Sequence, residues 1–457
     1  MAGLIGDKPG NRAIIPILLA GLALRLYAAA TAAAIELDGI GYATMADDFA
    51  RGHFSRAMEN VFPPVYPLFV ALFHLAIPDV ETAGRIVSLA FGVLLIYLSF
   101  IFARGFFRDE RKALWAALLV AFHPYLVRYS GAVLSEACAA FLFSATLFSF
   151  YVGWEQERRG LIGVSGLCLA LTYLARPEYI VFYAPFIVCL LARRRFLDSL
   201  LFFLPFLFLG SLYMGCLWWQ TGVLTISRKA MARPFVPLRV VAGNLPIVAY
   251  EFFIAVYPLF FCLAVLGYAA VKKPYRRLLL LLAACHIASL SFVGHATQRY
   301  SVEFAPACMV LAAEGIYAAG GYLRRRFPGR AWMQYAIVVL ILGAGVYQSY
   351  TPFRYERMLH KRAGLFLRGY DPGSVVASRL PLVAFYEKGS PVDLLSAMSG
   401  ENTEARFKKV VSEKKVRYLV FDEKVDRELP FLKDYLSRST PVYAARSKGT
   451  FVRVYRM

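Results

Sequence analysis

Charged side chains are scarce in this 457-residue chain: Asp, Glu, Lys and Arg make up 18%, against 59% hydrophobic residues. A soluble chain of this length would form two or three domains and could not be so apolar throughout. Disulfide chemistry is also missing. The seven cysteines (138, 168, 189, 216, 262, 285 and 308) all lie in or beside apolar runs, none in the polar C-terminal region, and none has C-x-x-C spacing. That excludes a disulfide framework and a thiolate metal site. The C-terminal region holds no phosphate loop, nucleophile elbow or dinucleotide fingerprint, so nucleotide-dependent chemistry has no foothold there.

What is present is a series of apolar segments. They run at 13–35, 64–77, 86–103, 113–122, 133–152, 161–175, 179–192, 197–219, 252–271, 278–293, 301–320 and 331–350. A membrane span needs roughly 20 such residues. The first run follows Lys8 and Arg12 and ends in Ala28–Ala34, which also resembles a cleavable leader; its length favours a retained span. Arg25 within it must face protein or snorkel. The net charge of +21 gathers in short clusters between apolar runs and predicts no nucleic-acid partner.

Those clusters set the topology. The segment 64–77 opens on Pro63-Pro64 and is short. If it does not cross, Lys8/Arg12, Arg104/Arg108/Arg111/Lys112, Arg158/Arg159, Arg193–Arg195, Lys272/Lys273/Arg276/Arg277 and Arg324–Arg326 with Arg330 all fall on one side. The positive-inside rule then gives about eleven spans, with the N-terminus cytoplasmic and the C-terminus outside. Residues 1–351 form the membrane domain. Residues 352–457 form an external α/β domain with a partly parallel sheet: strands at 375–377, 416–421, 440–445 and 450–455, and helices at 402–414 and 427–438.

The external side receives 36–85, the turns near 123–132, 175–179 and 294–300, and loop 220–251. Asp38, just past the first span, suits a general base at a membrane–water boundary and equally suits a cap for the following helix. Asp47-Asp48 with Arg51 reads as a solvated helical face. Glu136 opens an apolar span, where an ionisable group marks a functional site or a dipole-stabilised helix start. Arg85 could pair with Asp38 or Glu136. Arg176, with Glu178 beside it, and Arg299, followed by Tyr300, lie at outer turns. Loop 220–251 is unusually basic for that side: Arg228, Lys229, Arg233 and Arg239 point to an anion. His53, His123 and His295 lie near the same face without helical spacing, a weak pattern for a divalent metal.

The order Asp38, Phe62-Pro63-Pro64-Val65-Tyr66-Pro67, Arg85, His123-Pro124, Ser135-Glu136, Ala175-Arg176-Pro177-Glu178 and Arg299-Tyr300 resembles the GT-C superfamily of polyprenyl-phosphate-sugar-dependent glycosyltransferases. Protein O-mannosyltransferases and the transferases that add aminoarabinose to lipid A are among its members. The resemblance spans roughly residues 12–320 and, more loosely, the external tail. It implies a GT-C-like bundle with external juxtamembrane helices, the proline-rich segment being one of them. It implies that Asp38 is the base, Glu136 a second acidic residue, and Arg85 the organiser of the first loop. Arg176, Arg228, Lys229, Arg233 and Arg299 would then grip the donor phosphate, with Tyr42, Tyr66, His123, Glu178 and Tyr300 lining the cavity. Many relatives carry Asp-Glu where this chain has Asp38-Gly39. The expected activity is inverting transfer of a hexose or pentose to a lipid-linked glycan, glycolipid or protein of the cell envelope, at the outer face of a bacterial plasma membrane. The rival is a lipid or solute transporter, which would show internal repeats and broken helices.

Overall fold

The computed structural model describes residues 12–231, 236–269, 271, 273–294, 297–327, 332–350, 357–399, 401–447 and 449–457. Lys8, Arg233, Lys272, His295 and Arg330, all singled out above, lie outside the described residues. The chain divides into two compact units, one of residues 1–30 and 41–351, the other of 31–40 and 352–457.

The first unit is helical. Its helices are α1 (Ile14–Thr31), α2 (Leu37–Ala50, which begins in the other unit), α3 (Phe54–Met58), α4 (Val65–His74), α5 (Val80–Phe107), α6 (Glu110–Phe122), α7 (Pro124–Ser130), α8 (Glu136–Glu155), α9 (Arg159–Tyr173), α10 (Tyr183–Leu191) and α11 (Phe196–Thr221). The unit ends with α12 (Arg228–Met231), α13 (Leu238–Val256), α14 (Pro258–Tyr268), α15 (Lys273–Val293), α16 (Ala305–Arg326) and α17 (Trp332–Ser349). Among the described residues, seven helical segments are long and apolar enough to cross a membrane, and five more apolar helices are shorter. The protein is an integral membrane protein of the polytopic helical class.

The proline-rich segment behaves as its length dictates. Helix α4 has 10 residues, about 15 Å at 1.5 Å per residue, half of a hydrocarbon core. The stretch 220–251, expected as loop, is instead helical from Leu238. That helix stops where Tyr257 takes φ 69° before Pro258, and α14 restarts there. The acidic loop 36–62 likewise contains α2 and α3. Its Asp47 lies 3.0 Å from Arg51 one turn on and 3.2 Å from His74 on α4.

Close packing relies on glycine. A Cβ on Gly315 of α16 would overlap the Leu263 carbonyl of α14, and one on Gly267 of α14 would overlap the Leu311 carbonyl of α16. These two helices therefore cross backbone to backbone, the contact that small residues permit in membranes.

Arg25 faces protein. It is fully buried, and its guanidinium donates to the carbonyls of Gly21 (3.1 Å), Ala121 (3.0 Å) and Val120 (3.3 Å). The last two belong to the end of α6, where Pro124 prevents continuation and leaves carbonyls without helical partners. A cation at that end also complements the helix dipole.

The second unit holds a five-stranded sheet of order β2-β1-β3-β5-β4, with β1 Val375–Ser378, β2 Ser390–Asp393, β3 Tyr418–Asp422, β4 Tyr443–Ser447 and β5 Thr450–Arg456. Strands β2, β1 and β3 are parallel and the remaining pairs antiparallel, which is the partly parallel sheet expected. Strand β2 carried no sequence signal: it is four residues long, includes Pro391 and is exposed at the sheet edge. Helices α18 (Met358–Tyr370), α19 (Leu382–Glu387), α20 (Leu394–Met398) and α21 (Glu404–Glu413) surround it. The single helix expected at 427–438 is two, α22 (Glu423–Glu428) and α23 (Phe431–Tyr435), because Pro430 cannot continue a helix.

At the end of β3, Asp422 accepts from the backbone of Lys424 and Val425, and its other oxygen lies 3.0 Å from His360 Nε2. Burial would raise this carboxyl, but the His360 and Val425 hydrogen bonds outweigh it and hold Asp422 below the usual carboxylate range.

Two outcomes follow. Replacing Arg25 by Leu strands the Val120 and Ala121 carbonyls in a dry environment, where each unsatisfied group costs several kcal/mol; thermal unfolding of purified protein should show a much larger loss for R25L than for R12L. Because the folded Asp422 is the stronger acid, its contribution is complete above about pH 4, the unfolded value, and lost as pH falls through the folded value. Acid unfolding of the C-terminal unit, followed by the local hydrogen exchange of β3, should be less steep in D422N than in the parent.

Candidate active site

Three turns of the first unit, distant in sequence, bring their charges together. Glu136 is the first residue of α8, with an exposure of 1%. Arg176 precedes the 3-10 turn Pro177–Phe182, entered by an extended backbone that Pro177 favours. Arg299 and Glu303 lie in two consecutive 3-10 turns, Gln298–Tyr300 and Val302–Phe304, that lead into α16. Arg176 Nη1 is 3.1 Å from Glu136, Nη2 is 2.7 Å from Glu178, and Nε is 3.1 Å from Glu303. Arg299 Nε donates to the same Glu136 oxygen that meets Arg176. The Tyr300 ring completes the group, with the Arg176 guanidinium 5.0 Å and Lys229 Nζ 4.8 Å from its centroid.

Burial decides the roles available to these groups. The Arg176 side chain is 5% exposed and that of Arg299 25%. Burial alone would lower the Arg176 guanidinium, but Glu303, Glu178 and Glu136 outweigh it and hold the group well above its ordinary value. Arg176 is thus a permanent cation saturated by carboxylates. Arg299 and the half-buried Lys229 are the cations of the cluster that an incoming anion can reach.

Tyr42 and Tyr66 brace one flank. The Tyr42 hydroxyl is 2.9 Å from Ser135 Oγ, next to Glu136, and its ring meets Phe62 at 4.3 Å and Tyr66 edge-on at 5.1 Å. Burial, then the Glu136 charge, push the Tyr42 phenol well above its usual range, so it stays neutral. The Tyr66 hydroxyl donates to the Gly84 carbonyl at 3.2 Å and sits 2.8 Å from Ser88, while Val65 N–H donates to Leu174 O at 3.0 Å. The proline-rich segment is thereby tied both to α5 and to the turn that carries Arg176.

The other expected residues have local settings of their own. Asp38 is half-buried in the first turn of α2, within the 31–40 stretch of the second unit. There Glu36 pairs with Arg357 at 2.9 Å, and Ile35 N–H donates to the Tyr386 hydroxyl. Arg85 bonds Glu81 on its own helix and the Ala29 carbonyl, rather than Glu136. Arg228 donates to Gln220 at 2.8 Å. Fully buried His123 accepts from Leu126 N–H through Nδ1 and donates to the Val256 carbonyl through Nε2, so both ring nitrogens are used in capping. Among the described residues, no group of three or more His, Cys, Asp or Glu side chains could hold a metal ion.

Glu303 was missed in the sequence. It sits inside a run read as apolar, yet it opens a span four residues after Arg299, the same signal that flagged Glu136. Replacing Arg176 by Met should leave Glu136, Glu178 and Glu303 without their common cation and cost roughly 3–5 kcal/mol. Thermal unfolding should show that loss, and the double variant R176M/E303Q should regain part of it.

The family described as dolichyl-phosphate-mannose-protein mannosyltransferase matches residues 62–219. Sequence comparison with curated proteins finds no match. Among solved structures, ArnT from Cupriavidus metallidurans bound to undecaprenyl phosphate is similar at 14% identity and a TM-score of 0.68, over 96% of this chain and 97% of that one. The Archaeoglobus fulgidus oligosaccharyltransferase in complex with Zn and sulfate is similar at 15% identity and a TM-score of 0.61, over 96% of this chain and 72% of that one. The same oligosaccharyltransferase, with an inhibitory peptide and a dolichol-phosphate, aligns at 12% identity with a TM-score of 0.54, over 95% of this chain and 74% of that one. At these identities the likeness is one of fold. The likeness to these solved structures covers 95–96% of this chain.

Proposed function

We propose that this chain is an inverting glycosyltransferase that moves a sugar from a polyprenyl phosphate to an envelope acceptor on the outer face of the membrane. The observation that carries the reading is the buried cluster of Glu136, Arg176, Glu178, Arg299 and Glu303 at one end of apolar helices. Its setting adds weight: solved structures of the same fold were obtained with undecaprenyl phosphate and with a dolichol-phosphate.

In this mechanism Asp38 takes the proton of the acceptor hydroxyl or amine as that atom attacks the anomeric carbon. The bond from that carbon to the phosphate oxygen breaks, and its electron pair leaves on the phosphate. Arg299 and Lys229, with Arg228 nearby in sequence, would balance the developing charge. Arg176 holds Glu136, Glu178 and Glu303 in place instead of meeting the phosphate itself. Asp38 lies half-buried in the first turn of α2.

A transporter would keep its ionisable groups at mid-membrane on broken helices; here they occupy the first turns of α8 and the segments before α10 and α16. No step is routed through a metal, since the cluster's carboxylates converge on guanidinium groups.

Purified protein supplied with a polyprenyl-phosphate sugar and envelope acceptor should lose about 10²- to 10⁴-fold in turnover on D38N, the usual scale for a missing general base, with donor binding retained. R299Q should lower kcat at least as much as it raises the donor KM, because the charge Arg299 balances develops in the transition state. Normal turnover by D38N would remove Asp38 from the mechanism.

A further inference from the structure

Away from the acidic cluster, a cleft opens between the far ends of α8 and α10 and the start of α15, with a volume of about 370 Å³. Helix α8 has 20 residues from Glu136 to Glu155, so Trp154 in this cleft lies roughly 27 Å along the helix from Glu136 at 1.5 Å per residue.

The chemistry of the cleft is divided. Arg193 and Arg277 line it together with Trp154, Tyr275, Cys189 and Leu281. The Arg193 guanidinium lies 5.9 Å from the Trp154 ring centroid. Among the described residues neither arginine has a carboxylate partner. Nearby acids are committed elsewhere: Asp198 to Arg195 and Arg159, and Glu155 accepts from the Tyr275 hydroxyl at 2.9 Å. The remaining wall is apolar and open, with Val188 56% and Leu281 42% exposed.

Two guanidinium groups without counter-ions select an anion, and guanidinium forks match phosphate oxygens. Exposed aliphatic walls beside them select a ligand with a hydrocarbon part, which free phosphate lacks. The half-buried Trp154 at the boundary is of the residue type that anchors at membrane interfaces. The same recipe recurs at a second cleft of about 580 Å³, lined by Arg111, Arg324, Trp115 and Tyr317 with aliphatic neighbours from α1, α6, α16 and α17.

We propose that the Arg193–Arg277 cleft seats the phosphodiester headgroup of an anionic glycerophospholipid, its acyl chains lying along Val188 and Leu281. Basic pockets between helices hold such headgroups on the anionic side of a membrane. This assignment stands apart from the transfer reaction and survives if that reading fails.

The test uses full-length protein in detergent, titrated with phosphatidylglycerol, phosphatidylcholine or inorganic phosphate while thermal unfolding is followed. Phosphatidylglycerol should raise Tm saturably, and the other two should not. R193Q/R277Q should lose at least half of that shift, whereas R325Q/R326Q, which removes the same charge from the last turn of α16, should keep it. A second readout needs no variant. In unaltered protein, a small neutral maleimide should alkylate Cys189, which lines the cleft, severalfold more slowly in phosphatidylglycerol vesicles than in phosphatidylcholine vesicles. Equal Tm shifts with the two lipids would overturn the proposal. So would a shift with phosphate alone, retention of the full shift by R193Q/R277Q, or equal Cys189 rates.

Discussion

One guanidinium holds the candidate site together. Arg176 meets Glu136, Glu178 and Glu303 within 3.1 Å, and those acids enter from the start of α8, the 3-10 turn after Arg176 and the turn before α16. Three carboxylates, Glu136 and Glu303 buried and Glu178 largely so, cannot share a small volume without cations, because each desolvated charge costs several kcal/mol unless paired. Arg176 and Arg299 satisfy that demand and in doing so fix the ends of three helical segments relative to one another. The tyrosines extend the frame: Tyr42 to Ser135, Tyr66 to Gly84 and Ser88, and the Val65 amide to Leu174.

A second constraint acts at the turn between α6 and α7. There the chain must stop a helix inside the bundle, and it does so with His123-Pro124. The stranded carbonyls are met by Arg25, from α1, while His123 uses both nitrogens to begin α7 and to reach Val256. Here polar residues within apolar sequence serve the backbone itself. This separates Arg25 and His123 from the Arg176 cluster, where side chains serve one another and leave Arg299 within reach of solvent.

Much of this was legible in the sequence. Periodic basic clusters located the helix connections, and the shortness of 64–77 excluded it as a span, because both depend on one-dimensional properties. Glu136 and Arg176 stood out because charge in an apolar run is costly. Pairing between segments was not legible: Glu81, one turn before Arg85, is a visible i,i+4 partner, but nothing near Arg85 announces that it will also donate to the Ala29 carbonyl. Glu303 escaped because the run containing it still reads as apolar on average. The helix at 238–256 was hidden by the basic residues before it, and β2 by its length and its proline.

The central claim is that the cluster serves bond cleavage at a lipid phosphate rather than passage of an intact molecule. The most direct measurement is mass spectrometry of both lipid and acceptor after purified protein is incubated with a polyprenyl-phosphate sugar in proteoliposomes. The account predicts free polyprenyl phosphate and glycosylated acceptor in equal amounts, formed without a nucleotide. Intact donor moved across the bilayer, with no polyprenyl phosphate released, would contradict it.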